Sequence, residues 1–489
     1  MRYLSTRGGD PASAAEAIVR GISPSGGLYV PESYPTIDWL NGVRGGYLAT
    51  AHLVMQAYLP ETDSGELQRM IEAAYKSFDH AEVTPLLKLN EREHVLELWH
   101  GPTMAFKDVA LQMLPHLMRS SLRQTGETKQ VYILVATSGD TGKAALEGFR
   151  DVEGTRVLVF YPYGGVSEAQ RLQMVTQEGE NVDVCAVHGN FDDAQTGVKQ
   201  IFAAREIAQK LDEKGWRLSS ANSINFGRLL PQIVYYFTSY QSLVVSGEIK
   251  PGEKINFCVP TGNFGDILAG EYARRMGLPI NKLICASNRN NVLTDFFDSG
   301  VYDDNRPFYQ SMSCSIDILI SSNLERLLFE LANRDDALVR EWMQGLKEKG
   351  MYALPQRALD ELKQTFTAGW CTEEDTLETI KRVFDKTGYL MDPHTAVAQC
   401  VYERYLEKSG DQTRTVLLST ANPYKFASDV LGAFETAGED DFKNADRLKT
   451  LTGAPIPKGM SELLGKPVRH HDVCELADMP ERVLSPILK

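Results

Sequence analysis

Val131-Tyr132-Ile133-Leu134-Val135-Ala136-Thr137-Ser138-Gly139-Asp140-Thr141-Gly142 is an apolar run that breaks into a hydroxyl- and glycine-bearing turn, followed by a helical pattern at Lys143–Phe149. An uninterrupted apolar run suits a strand covered on both faces, whereas a strand with one wet face would alternate. The same order recurs outward in both directions. Upstream, Val95-Leu96-Glu97-Leu98-Trp99 leads through His100-Gly101-Pro102-Thr103-Met104-Ala105-Phe106-Lys107-Asp108 into a helical stretch from Val109 to Leu114. Downstream, the apolar strands Val157–Phe160 and Val182–Val187 flank a helical segment, Ser167–Gln177. Ile255–Val259 then enters Pro260-Thr261-Gly262-Asn263-Phe264-Gly265-Asp266 and a helix, and Leu283–Ala286 and Thr415–Leu418 repeat the theme. Strands of this kind alternating with helices predict an α/β fold of parallel sheets with helices on both faces.

Around this frame, residues 1–82 read as a small N-terminal unit. It carries a helical pattern at Ala12–Arg20, a turn at Ser23–Gly27, a strand at Leu28–Val30, and helical stretches near Tyr47–Tyr58 and Gly65–Tyr75. Residues 324–384 are charged and read as mostly helical, an appendage to the sheets. The apolar stretch Leu229–Val245 is broken by Gln232, Thr238, Ser239, Gln241 and Ser242, so it reads as a buried helix and not as a membrane span.

A chain of 489 residues suggests about three domains. The composition, 43% hydrophobic and 24% charged with no biased tract, supplies a sizeable core. A formal charge of −14 argues against nucleic acid or an anionic membrane surface as partner. The odd number of cysteines, 7 without CxxC spacing, predicts neither a disulfide framework nor a structural zinc site. The first residues lack the apolar stretch of a secretory signal, so a cytoplasmic location is expected.

Candidate chemistry lies in the turns after strands, where ligands of open parallel sheets bind. Lys107, set between Phe106 and a short helix, reads in isolation as a solvated lysine near a strand end; the alternative is a partly desolvated amine, which is a nucleophile. The Thr137–Lys143 turn is not a Walker A loop, because Thr137 and Ala144 stand where a glycine and a hydroxyl are needed. It suits a carboxylate at a helix N-terminus, or simple helix capping by Asp140 or Thr141. Thr261–Asp266 lacks dinucleotide spacing, yet two glycines ahead of a helix can form a phosphate cup from main-chain N–H groups. Ser419-Thr420-Ala421-Asn422-Pro423 places hydroxyls at a strand end, with helix capping as the plain alternative. Asp392-Pro393-His394-Thr395 reads as a helix start, and His470-His471 as surface.

As a set, these pieces resemble the threonine synthases of fold type II pyridoxal-phosphate enzymes, in the longer bacterial and fungal branch. The matching segments are Gly26–Pro31, His100–Thr103 with Ala105–Asp108, Ser138–Gly142, Asn222–Asn225 with Arg228, Gly262–Asp266, Asp392–Ala396, and Ser419–Ala421 with Pro423 and Lys425-Phe426. They keep the family's order over most of the chain. The resemblance implies a large cofactor domain of residues 83–109 and 221–489, carrying the appendage, and a small α/β domain of residues 110–220 inserted in it. It implies that Lys107 holds pyridoxal 5′-phosphate in a Schiff base and that Gly262, Asn263, Phe264 and Gly265 cradle the cofactor phosphate. Thr420, with Ser419 as a second hydroxyl, would meet the pyridine nitrogen. Ser138, Gly139, Asp140 and Thr141 would face the substrate's α-carboxylate and the cofactor's hydroxyl edge. Arg228, with Asn222, Ser223 and Asn225, would take the substrate phosphate unless it serves its own helix. Two positions depart from common patterns: Asp140 stands where other fold type II enzymes often have Asn, and Asn422 where many family members have His.

The implied activity is conversion of O-phospho-L-homoserine and water to L-threonine and phosphate, in a monomer or homodimer without metal. One alternative is a phospho-lyase giving 2-oxobutyrate from the same substrate. The other is a catalytically silent binding relative, which retention of Lys107, the cup and Thr420 argues against.

Overall fold

The computed structural model describes residues 1–39, 46–137 and 139–488. Its larger sheet has six strands in the order Phe366–Trp370, Ile280–Ser287, Ile255–Pro260, Thr415–Ser419, Glu93–Glu97, Leu86–Lys88. All neighbours are parallel except the last pair, a short antiparallel edge. The smaller sheet is parallel throughout, in the order Asp472–Glu475, Val182–His188, Thr155–Pro162, Gln130–Ala136, Trp216–Ser219.

The Gln130–Ala136 strand shows why its apolar run is uninterrupted. Val131, Ile133 and Val135 enter one hydrophobic core, and Tyr132 and Leu134 enter another on the opposite face. Strand side chains alternate in direction, so a sheet covered on both sides needs apolar residues at every position. The larger sheet behaves alike, with Phe257 and Val259 on one side and Cys258 on the other.

The N-terminal unit is a three-stranded antiparallel sheet, Arg2–Ser5 with Ala12–Ser13 and Tyr29–Pro31, with the helix Ala14–Arg20 between its last two strands in the chain and the helices Gly46–Tyr58 and Ser64–Tyr75 after it. Ser13 and Glu16 form a reciprocal capping box at the first helix. This unit shares a core with the helix Phe226–Val245: Tyr3 and Phe226 meet edge-on at 4.7 Å between ring centroids. That 20-residue helix is almost wholly buried between the unit and the larger sheet, as its apolar composition predicts.

Three expectations require correction. The 324–384 stretch is not only a helical appendage, because Phe366–Trp370 pairs in parallel with Ile280–Ser287 and closes one edge of the larger sheet. Ala368 and Gly369 at its centre have weak strand propensity, and parallel pairing with Cys285 and Ala286 holds them in the sheet. The chain end does not stay with the larger sheet as a 221–489 domain would have it. Asp472–Glu475 pairs with Val182–His188, and Met479 and Val483 of the terminal helix enter the smaller sheet's core. His470 is half-buried rather than a surface residue, its backbone N–H donating to the Val175 carbonyl at 3.1 Å.

Candidate active site

Lys107, Thr420 and the Gly262–Gly265 turn follow the carboxyl ends of Glu93–Glu97, Thr415–Ser419 and Ile255–Pro260, which are adjacent strands of one parallel sheet. Two strand spacings, about 10 Å, therefore separate the strand that leads to the lysine from the strand that leads to the cup.

Lys107 opens the short helix Lys107–Leu111 and is 9% exposed. The backbone ahead of it is pinned to the Thr420 loop. Phe106 N–H donates to the Thr420 carbonyl at 2.8 Å, Asn422 N–H donates to the Met104 carbonyl at 3.1 Å, and Ala105 bridges Ala421. Met104 adopts φ 60°, a conformation that costs a non-glycine residue energy and that surrounding contacts must enforce. Asp108 ties the turn from below, accepting from Thr103 N–H at 2.8 Å and Thr103 Oγ1 at 2.7 Å.

The Lys107 amine donates to Ser315 Oγ at 3.1 Å and to Asp140 Oδ2 at 3.4 Å. Burial lowers its pKa, and Asp140 only partly offsets that. For Asp140 the balance reverses: burial alone would raise its pKa, but Lys425 and Lys107 hold the carboxyl well below the usual range. Lys425 Nζ lies 3.0 Å from Asp140 Oδ1 and donates to the Thr103 carbonyl at 2.7 Å. The Asp140 carboxylate is thus the counter-ion of two buried lysines, which leaves its main-chain N–H, and not its side chain, as the group suited to a substrate carboxylate. Like charge makes a carboxylate a poor seat for another carboxylate. The Gly139 N–H is also engaged, donating with Gly142 N–H to Thr137 Oγ1 at 3.0 Å each. Only the main-chain N–H groups of Asp140 and Thr141, at the start of the helix Asp140–Phe149, stay without a protein acceptor among the described residues. Ser138 lies outside the described residues.

At the cup, Phe264 is buried at φ 65° and precedes the helix Gly265–Arg275 without a side-chain cap. The N–H groups of Gly262, Asn263, Phe264 and Gly265 find no acceptor among the described residues, as an anion site at a helix N-terminus requires. The cup's carbonyls are occupied from behind: Ser321 Oγ donates to Gly262 at 2.7 Å, and Asn323 Nδ2 donates to Asn263 at 2.9 Å. Gly262 must lack a Cβ, which would meet the Ser315 carbonyl oxygen at 2.9 Å and Ile316 Cα at 3.0 Å.

Of the two strand-end hydroxyls, Ser419 Oγ is consumed by Trp99 Nε1 at 3.1 Å and Thr395 Oγ1 at 3.1 Å. The buried Thr420 hydroxyl makes no hydrogen bond among the described residues, so it alone is free for a ligand atom. Arg228 is buried, with no carboxylate partner among the described residues. Its Nη1 donates to the Ala221 carbonyl at 2.8 Å, its Nε is unsatisfied, and burial pushes its pKa down to about 10. Asn225 caps the helix that carries Arg228, accepting from Gly227 N–H at 2.8 Å, and Ser223 Oγ accepts from Asn323 Nδ2 at 3.2 Å. Both are therefore structural in this arrangement.

Lys425, Ser315 and Asn323 complete the site without having been singled out as site residues in the sequence. Lys425 was visible only as part of a matching segment. Ser315 and Asn323 lie in an irregular stretch, 311–323, whose contacts with Lys107 and the cup are separated from it by hundreds or tens of residues.

An amine made nucleophilic by burial, unpaired amides for a phosphate and a free hydroxyl for a ring nitrogen form a donor set that fits pyridoxal phosphate. The chain matches the family described as pyridoxal-phosphate dependent enzyme over residues 78–421, flanked by matches to the threonine synthase N terminus over 2–75 and the threonine synthase C-terminal region over 395–483. Threonine synthase of Saccharomyces cerevisiae is 39% identical over 485 residues, covering 92% of this chain and 93% of that protein. Threonine synthase-like 1 of Homo sapiens is 40% identical over 435 residues, 86% of this chain, and the chain spans 58% of that relative's length. The crystal structure of threonine synthase from Brucella melitensis, solved with pyridoxal phosphate bound, superposes with a TM-score of 0.88 at 39% identity, covering 99% of this chain and 98% of that one. The chain belongs to the threonine synthase family of pyridoxal-phosphate dependent enzymes.

Proposed function

We propose that this chain is a carbon–oxygen lyase that converts O-phospho-L-homoserine and water to L-threonine and inorganic phosphate. The observation that carries this reading is the placement of Lys107, Thr420 and the cup amides at the carboxyl ends of adjacent strands. Pyridoxal phosphate, when bound, supplies the electron sink for the carbon chemistry. Lys107 would hold it, the Gly262–Gly265 amides would take its phosphate, and the Thr420 hydroxyl would meet its ring nitrogen. A hydroxyl there cannot hold the ring nitrogen protonated as a carboxylate would.

The protein's own part is binding and proton handling. The Lys107 amine, depressed by burial, is suited to take the proton from the substrate carbon beside the carboxylate and to exchange protons at the next carbon. The amides of Asp140 and Thr141, without an acceptor among the described residues, suit the α-carboxylate. Arg228, the buried cation with an unsatisfied Nε, suits the phosphate that leaves from Cγ. The Lys425–Asp140 pair is neutral in sum, and the buried Arg228 cation gives the site a positive balance toward an anionic substrate within a chain of net charge −14. All seven cysteines are unbridged, which fits a reducing compartment such as the cytoplasm.

The test is a product assay with purified, cofactor-loaded protein on O-phospho-L-homoserine. L-threonine with stoichiometric phosphate is expected, and Lys107→Ala should abolish both turnover and the protein's visible absorbance. Formation of 2-oxobutyrate and ammonia instead would assign the phospho-lyase reaction.

A further inference from the structure

The segment Ser311–Asp317 touches both the reactive lysine and the phosphate cup. Resting on the reading above, we propose that the Ser315 hydroxyl is a catalytic residue that holds the Lys107 amine whenever its nitrogen is free, and that His394 and Asp392 are positioning residues for that hydroxyl.

Three hydrogen bonds close a ring around the amine. Lys107 donates to Ser315 Oγ at 3.1 Å and to Asp140 Oδ2 at 3.4 Å, and Ser315 Oγ donates its own hydrogen to the same Asp140 oxygen at 3.4 Å. A neutral amine that donates both of its N–H bonds to defined acceptors has its lone pair oriented, and a primary amine on a flexible stem otherwise lacks that orientation.

The hydroxyl is in turn held by its own backbone. Ser315 N–H donates to His394 Nε2 at 3.0 Å. The Nε2 atom must therefore be the acceptor, which places the ring hydrogen on Nδ1, facing Asp392 Oδ1 at 2.8 Å. His394 is 1% exposed and packs edge-on against Phe426 at 5.0 Å, so its ring has one orientation. Asp392 is itself fixed as the cap of the helix Pro393–Ser409, accepting from His394 N–H at 2.9 Å. At the other end of the loop, Asp317 accepts from Ser311 N–H at 2.9 Å and from Asn290 Nδ2 at 3.0 Å. Between these anchors the Ser315 carbonyl and Ile316 Cα fill the space where a side chain on Gly262 would stand. One rigid loop thus sets the lysine and the cup relative to each other. A displacement of about 1 Å in such a contact is enough to cost roughly a hundredfold in rate.

The experiment uses cofactor-loaded protein and follows two signals: steady-state threonine formation, and the rate at which hydroxylamine captures the visible absorbance, which reports release of Lys107. Ser315→Ala should lower kcat by roughly tenfold to a hundredfold with KM little changed, and should alter the capture rate several-fold. His394→Ala should reproduce both effects, and His394→Gln, whose amide oxygen can still accept from Ser315 N–H, should recover at least half of the lost rate. Ser315→Ala with kcat and capture rate within twofold of wild type would overturn the proposal for the hydroxyl. Equal defects in His394→Gln and His394→Ala would overturn the positioning role. A wild-type protein that is colourless or makes no threonine would instead remove the functional reading beneath it.

Discussion

Burial favours the neutral form of the Lys107 amine, and the Asp140 carboxylate 3.4 Å away favours the charged form. Lys425 tempers that second influence by sharing the same carboxylate, with its side chain 1% exposed and no other carboxylate within ion-pair distance among the described residues. The triad has a consequence for substitution. Asp140→Asn keeps the volume and an acceptor oxygen but leaves Lys425 as a buried cation without a counter-ion. Breaking a buried pair from one side costs about 3–5 kcal/mol. We expect a loss of roughly 3 kcal/mol in urea unfolding, with the Lys107 pKa falling further because its nearest anion is gone. Unchanged unfolding midpoints would show that Lys425 is solvated in some other way. Lys107 could be read in the sequence from the cup and the Thr420 turn that accompany it, since its immediate neighbours alone suit a solvated lysine as well. Lys425 could not, because what makes it a site residue is contact with residues hundreds of positions away.

The strands explain why the site lies where it does, and they contain a titrating group of their own. His94, in the Glu93–Glu97 strand, is buried with neither ring nitrogen hydrogen-bonded among the described residues. Burial pushes its pKa down to about 4. In an unfolded chain a histidine titrates near pH 6.5, so between about 4 and 6.5 the unfolded state binds the additional proton. The contribution of His94 to stability is therefore complete above about pH 6.5 and is lost progressively as pH falls toward 4. Urea midpoints of wild type and His94→Leu, followed from neutral pH to about pH 4.5, should show the wild type losing ground to the variant as the solution becomes acid. Parallel curves would mean that His94 is not held neutral. Strands such as Gln130–Ala136 and Ile255–Pro260 are legible in sequence because residues covered on both faces must be apolar throughout. Phe366–Trp370 and Asp472–Glu475 are not, because short edge strands are made by the neighbour that accepts their hydrogen bonds.

At the scale of the molecule, the chain returns to close its own smaller sheet. After building the larger sheet it sends Asp472–Glu475 to the edge of Val182–His188 and lays the helix Met479–Leu488 against the helices Phe191–Ala203 and Arg205–Glu213. Met479 and Val483 are fully buried there, and a Cβ on Gly197 would strike the Met479 sulfur at 2.5 Å. Deleting the chain from residue 472 onward uncovers that face. At about 1.5–3 kcal/mol for each large apolar side chain returned to water, a loss of roughly 3–6 kcal/mol is expected. Hydrogen exchange should locate it: protection should fall across Val182–His188 and remain across Thr415–Ser419. Equal loss in both strands would mean that the chain end stabilises the whole molecule and not one sheet.

The period of the apolar residues and the chemistry of the turns are local properties. They were enough to establish the parallel α/β architecture, the loops that carry Lys107, Thr420 and the Gly262–Gly265 cup, and the resemblance that those loops make in combination. Tertiary structure alone decided which hydroxyl is free, since Ser419 is consumed by Trp99 and Thr395 while Thr420 is not. It also made the Asp140 side chain a counter-ion of Lys425 and Lys107 and brought Ser315 to the Lys107 amine. Hydrogen bonds and ion pairs between distant segments depend on where the packed elements place their side chains, and no spacing within the sequence encodes that.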